Sequence, residues 1–160
     1  MNKHGWTKNA VRGVLLVVLA MLVLSVQATF CLDAKPDFSG HWKLDKSKSD
    51  FGQGPQPDEV TEIIDHHEPT LVVSTTTTQS GREDKRSVRY TTDDAENINM
   101  VAGHTMKTKT HWDGDSLVTV VRDERGLQLT EVRTLSKDGK TETVETDFGM
   151  GKQKLVMVKE

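Results

Sequence analysis

The sequence predicts an all-β chain: an antiparallel up-and-down meander closed into a small barrel of eight to ten strands. Three observations carry this. From residue 38 onward apolar and polar residues alternate with period two, and no stripe of helical spacing interrupts them. Threonine and valine dominate the alternating runs, as suits a pleated, half-buried surface. Turn signals separate the runs, and from residue 104 the strands follow at a spacing of about 12 residues.

The first strand, 38–45, puts Trp42 and Leu44 on one face and His41 and Lys43 on the other. A second strand is expected over 58–66. Glu68-Pro69-Thr70 ends it and opens the third, 70–79, with Leu71, Val73, Thr75 and Thr77 on one face. Ser80-Gly81 is the next turn. The fourth strand, 84–92, aligns Val88 with Tyr90, and a weakly marked fifth covers 96–101. In the sixth, 104–112, Met106, Thr108, Thr110 and Trp112 alternate with charged or polar neighbours. Asp113-Gly114 then signals a hairpin, because both residues tolerate the positive φ of a tight turn. Strands over 116–123, 127–135, 141–148 and 152–159 follow, separated by Glu124-Arg125-Gly126, Lys137-Asp138-Gly139 and a final turn. The eighth aligns Leu127 with Leu129, and the last aligns Leu155 with Met157.

Successive antiparallel strands leave edges, and closure into a barrel removes them. A two-sheet sandwich is the competing layout, since strand count alone does not separate the two. The one long connection, Asp45 to Asp58, is polar and rich in glycine and proline. A connection of that length is often a lid, and Phe51 within it is placed to plug one end of a barrel.

The amino-terminal 28 residues read as an export signal. Lys3, Lys8 and Arg12 precede an 11-residue apolar run, Val14 to Leu24, too short for the ~20 residues that span a bilayer. Val26 and Ala28 sit at −3 and −1 of a cleavage point before Thr29. Residues 29–37 then form a leader, and 38–160 the barrel domain. An uncleaved anchor is the alternative; after cleavage no membrane span is expected. Phe30 stands where acylation of Cys31 would need a small residue, so Cys31 is expected to remain a free thiol. The expected location is the bacterial periplasm or exterior.

Residues 1–28 hold three basic side chains and no acid, so the other 132 hold 18 basic and 24 acidic ones, a net of −6. That balance argues against non-specific nucleic-acid binding. A single cysteine excludes a disulfide framework and a multi-cysteine zinc site.

Gly40-His41-Trp42 looks like the Gly-x-Trp that opens lipocalins, and Phe38-x-Gly-x-Trp-Lys-Leu44 also resembles the opening of fatty-acid-binding proteins. Trp112-Asp-Gly-Asp-x-Leu-Val118 is similar to a late hairpin of the latter group. Across 37–160 the chain resembles short, lipocalin-like exported bacterial proteins of unknown function, through FSGxWKLD, SDFG, TLSxDGKT at 134–141 and a final QKLV. The resemblance implies a calycin-type barrel in which a glycine admits the chain and an indole closes one end of the core. Three departures stand out. Thr92-Asp93-Asp94 lacks the tyrosine of the second lipocalin motif. No arginine follows the barrel to stack on Trp42; only Lys154 and Lys159 lie near the end. The last strand also lacks the Arg-x-Tyr with which fatty-acid-binding proteins hold a carboxylate, so that mechanism is not carried over.

The histidines do not converge in sequence. His66 and His67 are adjacent and His104 and His111 are seven apart, so each pair faces opposite sides, and His41 stands alone; no metal site is expected. Acids such as Glu62, Asp65 and Glu145 are scattered over strands with nothing to mark a pair. No nucleophile elbow, P-loop or Rossmann turn occurs, so no enzyme and no cofactor are expected. Glu131 and Arg133 share the parity of Leu129, which would carry charge into the barrel. Arg86, on the face of Val88 and Tyr90, is then an inward partner for Glu131, while Arg89 meets water. Alternatively a bulge turns Glu131 and Arg133 outward and brings Val132 inside; bulges are common in barrels, and that reading is preferred.

The functional expectation is a binding module taking a small lipophilic or amphipathic ligand. The expected lining is Trp42, Leu44, Val73, Tyr90 and Met106, with Trp112, Leu129, Met157 and, if parity holds, Arg133. The alternative is a solid barrel serving the envelope as a structural or interaction component, with Asp45–Asp58 or the 80–86 loop as contact surface.

Overall fold

The computed structural model describes residues 34–160. The expected signal, its cleavage point and Cys31 lie outside the described residues. Ten strands follow in order: β1 (Gly40–Leu44), β2 (Glu59–His67), β3 (Thr70–Gln79), β4 (Arg82–Thr91) and β5 (Asp93–Val101), then β6 (His104–Asp113), β7 (Ser116–Asp123), β8 (Gln128–Leu135), β9 (Thr141–Asp147) and β10 (Lys152–Lys159). They form one antiparallel sheet in the order β4-β3-β2-β1-β10-β9-β8-β7-β6-β5. A sandwich is thereby excluded. β1 pairs with β10, with Leu44 opposite Met157, so the two ends of the meander meet.

The edges of the sheet, β4 and β5, follow one another in the chain. No ladder joins them, and a side chain does that work instead. The Arg89 N–H donates to Asn99 Oδ1 at 3.0 Å, and Asn99 Nδ2 donates to the Arg89 carbonyl at 2.9 Å. One asparagine thus satisfies two edge groups and nearly closes the barrel.

Most limits fall within one residue of expectation, but β1 begins at Gly40 rather than 38, and β4 and β5 begin two and three residues early. β4 begins at Arg82 because Ser80 and Gly81 both adopt positive φ (51° and 75°), and this two-residue turn pairs Gln79 with Arg82. β5 begins at Asp93, with a register shift between Asp93 and Glu96. Polar Asp-Asp-Ala-Glu hides that strand from a hydrophobic pattern.

One end of the barrel is filled. Phe38, Trp42, Leu71, Leu117 and Met157 are fully buried there. Trp42 Nε1 donates to the Phe38 carbonyl at 2.9 Å, which satisfies the buried indole. The rings of Phe38, His66 and Trp112 lie 6.0–6.1 Å apart. The Glu68 carboxylate receives Trp112 Nε1 at 2.8 Å and His66 Nε2 at 3.0 Å, and also Thr92 Oγ1. That one acid ties together the β2–β3, β4–β5 and β6–β7 ends of the sheet.

Gly40 has a role its neighbours make plain. Its φ is +145°, and a Cβ there would stand 2.5 Å from Lys159 Cε. Room is left for Lys159 to cross and place its ammonium 5.2 Å from the Trp42 ring centroid. Lysine therefore covers the indole although the carboxyl-terminal arginine of lipocalins is missing. Gly40→Ala should cost about 1–3 kcal/mol from backbone strain, read as a lower urea midpoint. An unchanged midpoint would show that the strand relaxes around a side chain.

Candidate functional site

β8 pairs with β7 and β9 in unbroken register, so no bulge interrupts its alternation. The preferred outward reading of Glu131 and Arg133 is therefore wrong. Arg133 is 4% exposed and points inward, while Val132 lines a groove on the outer face. The bulge that barrel statistics suggested sits in β5 instead.

Around Arg133 stand three carboxylates from three strands. Its Nε donates to Glu131 Oε1 at 2.8 Å. Its Nη1 donates to Glu62 Oε2 at 3.0 Å and to Glu142 Oε1 at 2.9 Å. Glu62 also accepts from Thr75 Oγ1 at 3.0 Å, so both its oxygens are engaged. Burial raises the pKa of Glu62, but the Arg133 charge and the hydrogen bonds from Arg133 and Thr75 outweigh it and hold the carboxyl below its ordinary value. Burial wins at Glu142. That side chain is fully buried, its Oε2 has no partner, and its pKa is pushed up to about 7, Arg133 offsetting only part of the cost. Burial lowers the Arg133 pKa, yet Glu131, Glu62 and Glu142 together more than reverse this and keep the guanidinium charged.

Arg133 Nη2 has no hydrogen-bond partner among the described residues. Glu142 Oε2 is the buried side-chain atom left unpartnered, so Nη2 is not sealed in protein; it opens on the cavity that Arg133 lines. That cavity has two chambers. One, of about 290 Å³, lies under the Asp45–Asp58 connection and reaches from Pro55 and Pro57 past Val60, Val144 and Leu155 to Met157. The other, of about 120 Å³, lies across the β4–β5 seam against Val73, Tyr90, Val101 and Met106. Thr75, Arg86, Leu129, Glu131 and Arg133 belong to both and form the shared wall. Arg86 takes part in no ion pair among the described residues, and its charge acts on Glu62 from across the cavity. Tyr90 is buried beside it, and that burial, with the Glu131 charge, pushes the phenol pKa up.

Of the expected lining residues, Val73, Tyr90, Met106, Leu129 and Arg133 face the seam-side chamber, and Leu129, Arg133 and Met157 the other. Trp42, Leu44 and Trp112 point inward but pack in the core cluster, away from the cavity. Their bulk fills space that a ligand would need. Phe51, half-buried in the long connection, packs against the same core. Arg89 is exposed.

Two members of the charge cluster were legible but not assembled. Glu62 alternates with buried Val60 and Ile64, and Glu142 with buried Val144. Ile63, apolar but 53% exposed, blurs the parity of the first pair. His66 is buried with both ring nitrogens engaged, by the Phe38 N–H and by Glu68. Among the described residues no group of three or more His, Cys, Asp or Glu is placed to hold a metal.

A larger space of about 490 Å³ lies on the outer face, by Asp50, Val132 and Glu145. Its charges answer one another, Lys152 with Asp147 at 3.3 Å and Lys154 with Glu145 at 3.8 Å. Solvent reaches all of these ion pairs, so they offer a ligand little.

Fold and interior define the class: a small, nearly closed antiparallel β-barrel, filled at one end and hollow at the other. No protein-family model matches the sequence, and no curated protein does. Among solved structures the chain is similar to secretory abundant heat soluble protein 4 from Ramazzottius varieornatus, at 15% identity and a TM-score of 0.60, over 79% of this chain and 96% of that one. It is also similar to a mutant of the fluorescent protein UnaG, at 15% identity and a TM-score of 0.55, over 77% and 96%. At such identity the likeness is one of fold.

Proposed function

We propose that this protein is a binding module that holds a small amphipathic molecule inside the barrel. One observation carries the reading: a guanidinium buried to 4% exposure keeps an unpartnered nitrogen where two hollow chambers meet. Nη2 opens on the chambers while the other guanidinium nitrogens are engaged by carboxylates, so a ligand acceptor can reach it without displacing a protein partner. Leu129, Val60, Val144, Leu155 and Met157 offer apolar surface for the rest of the molecule.

Two of the three acids beside Arg133 are withheld from proton chemistry, which favours binding over catalysis. Glu62 spends both oxygens on Thr75 and Arg133, and Glu142 is sealed below the cavity, so neither is free to move a ligand proton. With residues 1–28 read as an export signal, binding takes place in the periplasm or outside the cell.

The test is titration of the purified chain with an environment-sensitive amphiphilic dye. Saturable binding is expected, and Leu129→Trp, which fills the shared wall, should weaken it about tenfold or more while the far-ultraviolet spectrum stays unchanged. Binding that ignores Leu129→Trp would place the dye outside the barrel. No saturable binding would favour the solid-barrel, structural reading.

A further inference from the structure

The geometry points to a neutral polar group on the ligand, one that accepts and donates hydrogen bonds from adjacent atoms, as a primary carboxamide does. This rests on the binding reading above and names the chemistry of the same site. The wall shared by the two chambers presents both kinds of partner. Arg133 Nη2 and Arg86 are donors without protein partners among the described residues. Glu131 gives Oε1 to Arg133 and leaves Oε2 as a free acceptor on the same wall. A group that only accepts leaves Glu131 Oε2 facing it, and a group that only donates leaves two guanidinium groups facing it. Each mismatch leaves Glu131 Oε2 or Arg133 Nη2 without a partner once a ligand covers it, whereas Arg86, an exposed residue, keeps its access to solvent.

Charge gives the same answer. Two guanidinium groups, Arg86 and Arg133, stand against the carboxylates of Glu62 and Glu131, and Glu142 lies beneath as the third acid. The wall shared by the chambers is thus balanced while Glu142 keeps its proton and negative by one when it ionises, with Asp84 a further acid on the larger chamber alone. Arg133 has already spent three donors on carboxylates, so an added anion would face Glu131 with little cation left to answer it. An added cation would face Arg133 Nη2 and Arg86. A neutral donor–acceptor group avoids both penalties, and like-charge contacts of this kind are what interfaces use to reject wrong partners.

Three eight-carbon probes with the same tail separate the cases: octanamide, octanoate and octylammonium, each titrated calorimetrically against the full chain at pH 6, where Glu142 keeps its proton and both charged probes keep their charge. Octanamide is expected to bind about tenfold tighter, or more, than either charged probe. Glu131→Gln removes one negative charge and should narrow the gap between amide and carboxylate by raising octanoate affinity. Octanoate or octylammonium binding as tightly as octanamide would overturn this inference and leave the barrel a binder. A gap unchanged in Glu131→Gln would overturn the role given to that carboxylate. Failure of all three to bind would bring down the binding reading, and this inference with it.

Discussion

Arg133→Met should destabilise the barrel by about 3–5 kcal/mol, the usual cost of removing one partner from a buried ion pair. The guanidinium here is 4% exposed and answers Glu62, Glu131 and Glu142 at 2.8–3.0 Å. Without it Glu62 keeps only the Thr75 hydroxyl, and burial then drives it to take up a proton. Urea denaturation at pH 8 measures the loss, and it should shrink toward pH 5 as the stranded acids are neutralised. Replacing the pair together, Glu62→Met with Arg133→Met, should recover part of it, because apolar side chains of similar volume need no partner. A single variant as stable as the parent would mean that the cluster contributes nothing to the fold.

Glu142→Gln should act in the opposite direction, and only at higher pH. The folded chain holds the Glu142 proton up to about pH 7, whereas the unfolded chain releases it near 4.5. Between those values the folded state binds more protons, so stability falls as pH rises, then levels off above 7. At 1.36 kcal/mol per pKa unit the loss is on the order of 3 kcal/mol. Glu62 shifts the other way. Its folded pKa is lowered, so its contribution is present above the unfolded value and is lost only as pH falls below about 4.5. The window from 4.5 to 7 therefore belongs to Glu142. Glutamine keeps an acceptor for Arg133 Nη1 and carries no charge. The variant should match the parent near pH 4.5 and exceed it by about 3 kcal/mol above pH 7. Parallel pH profiles for the two proteins would show that Glu142 is not the titrating acid.

The strands were legible because their signal is local. Leu71, Val73 and Thr75, or Met106, Thr108 and Thr110, declare an inward face within one strand, and Asp113-Gly114 declares where it turns. β5 was the hardest to read because its polar start carries the register shift at Asp93–Glu96, and a shift breaks the period on which the reading depends. The indole of Trp42 lies buried, as the opening motif implied, but it helps fill the packed end of the interior rather than line the hollow one.

By itself the sequence determined the all-β class, the order of the meander and most strand limits to within a residue, because a period of two is a property of each strand alone; it left Arg133 open between an inward face and a bulge, which the unbroken register of β8 decided. Only the tertiary structure decided that Glu62 and Glu142, 71 and 9 residues from Arg133 along the chain, meet it inside. It also decided that one half of the interior is packed and the other hollow. Both outcomes depend on how the barrel closes. The pairing of β1 with β10 and the register across each ladder bring three carboxylates to one guanidinium, and no pattern within a strand records which distant strand will face it.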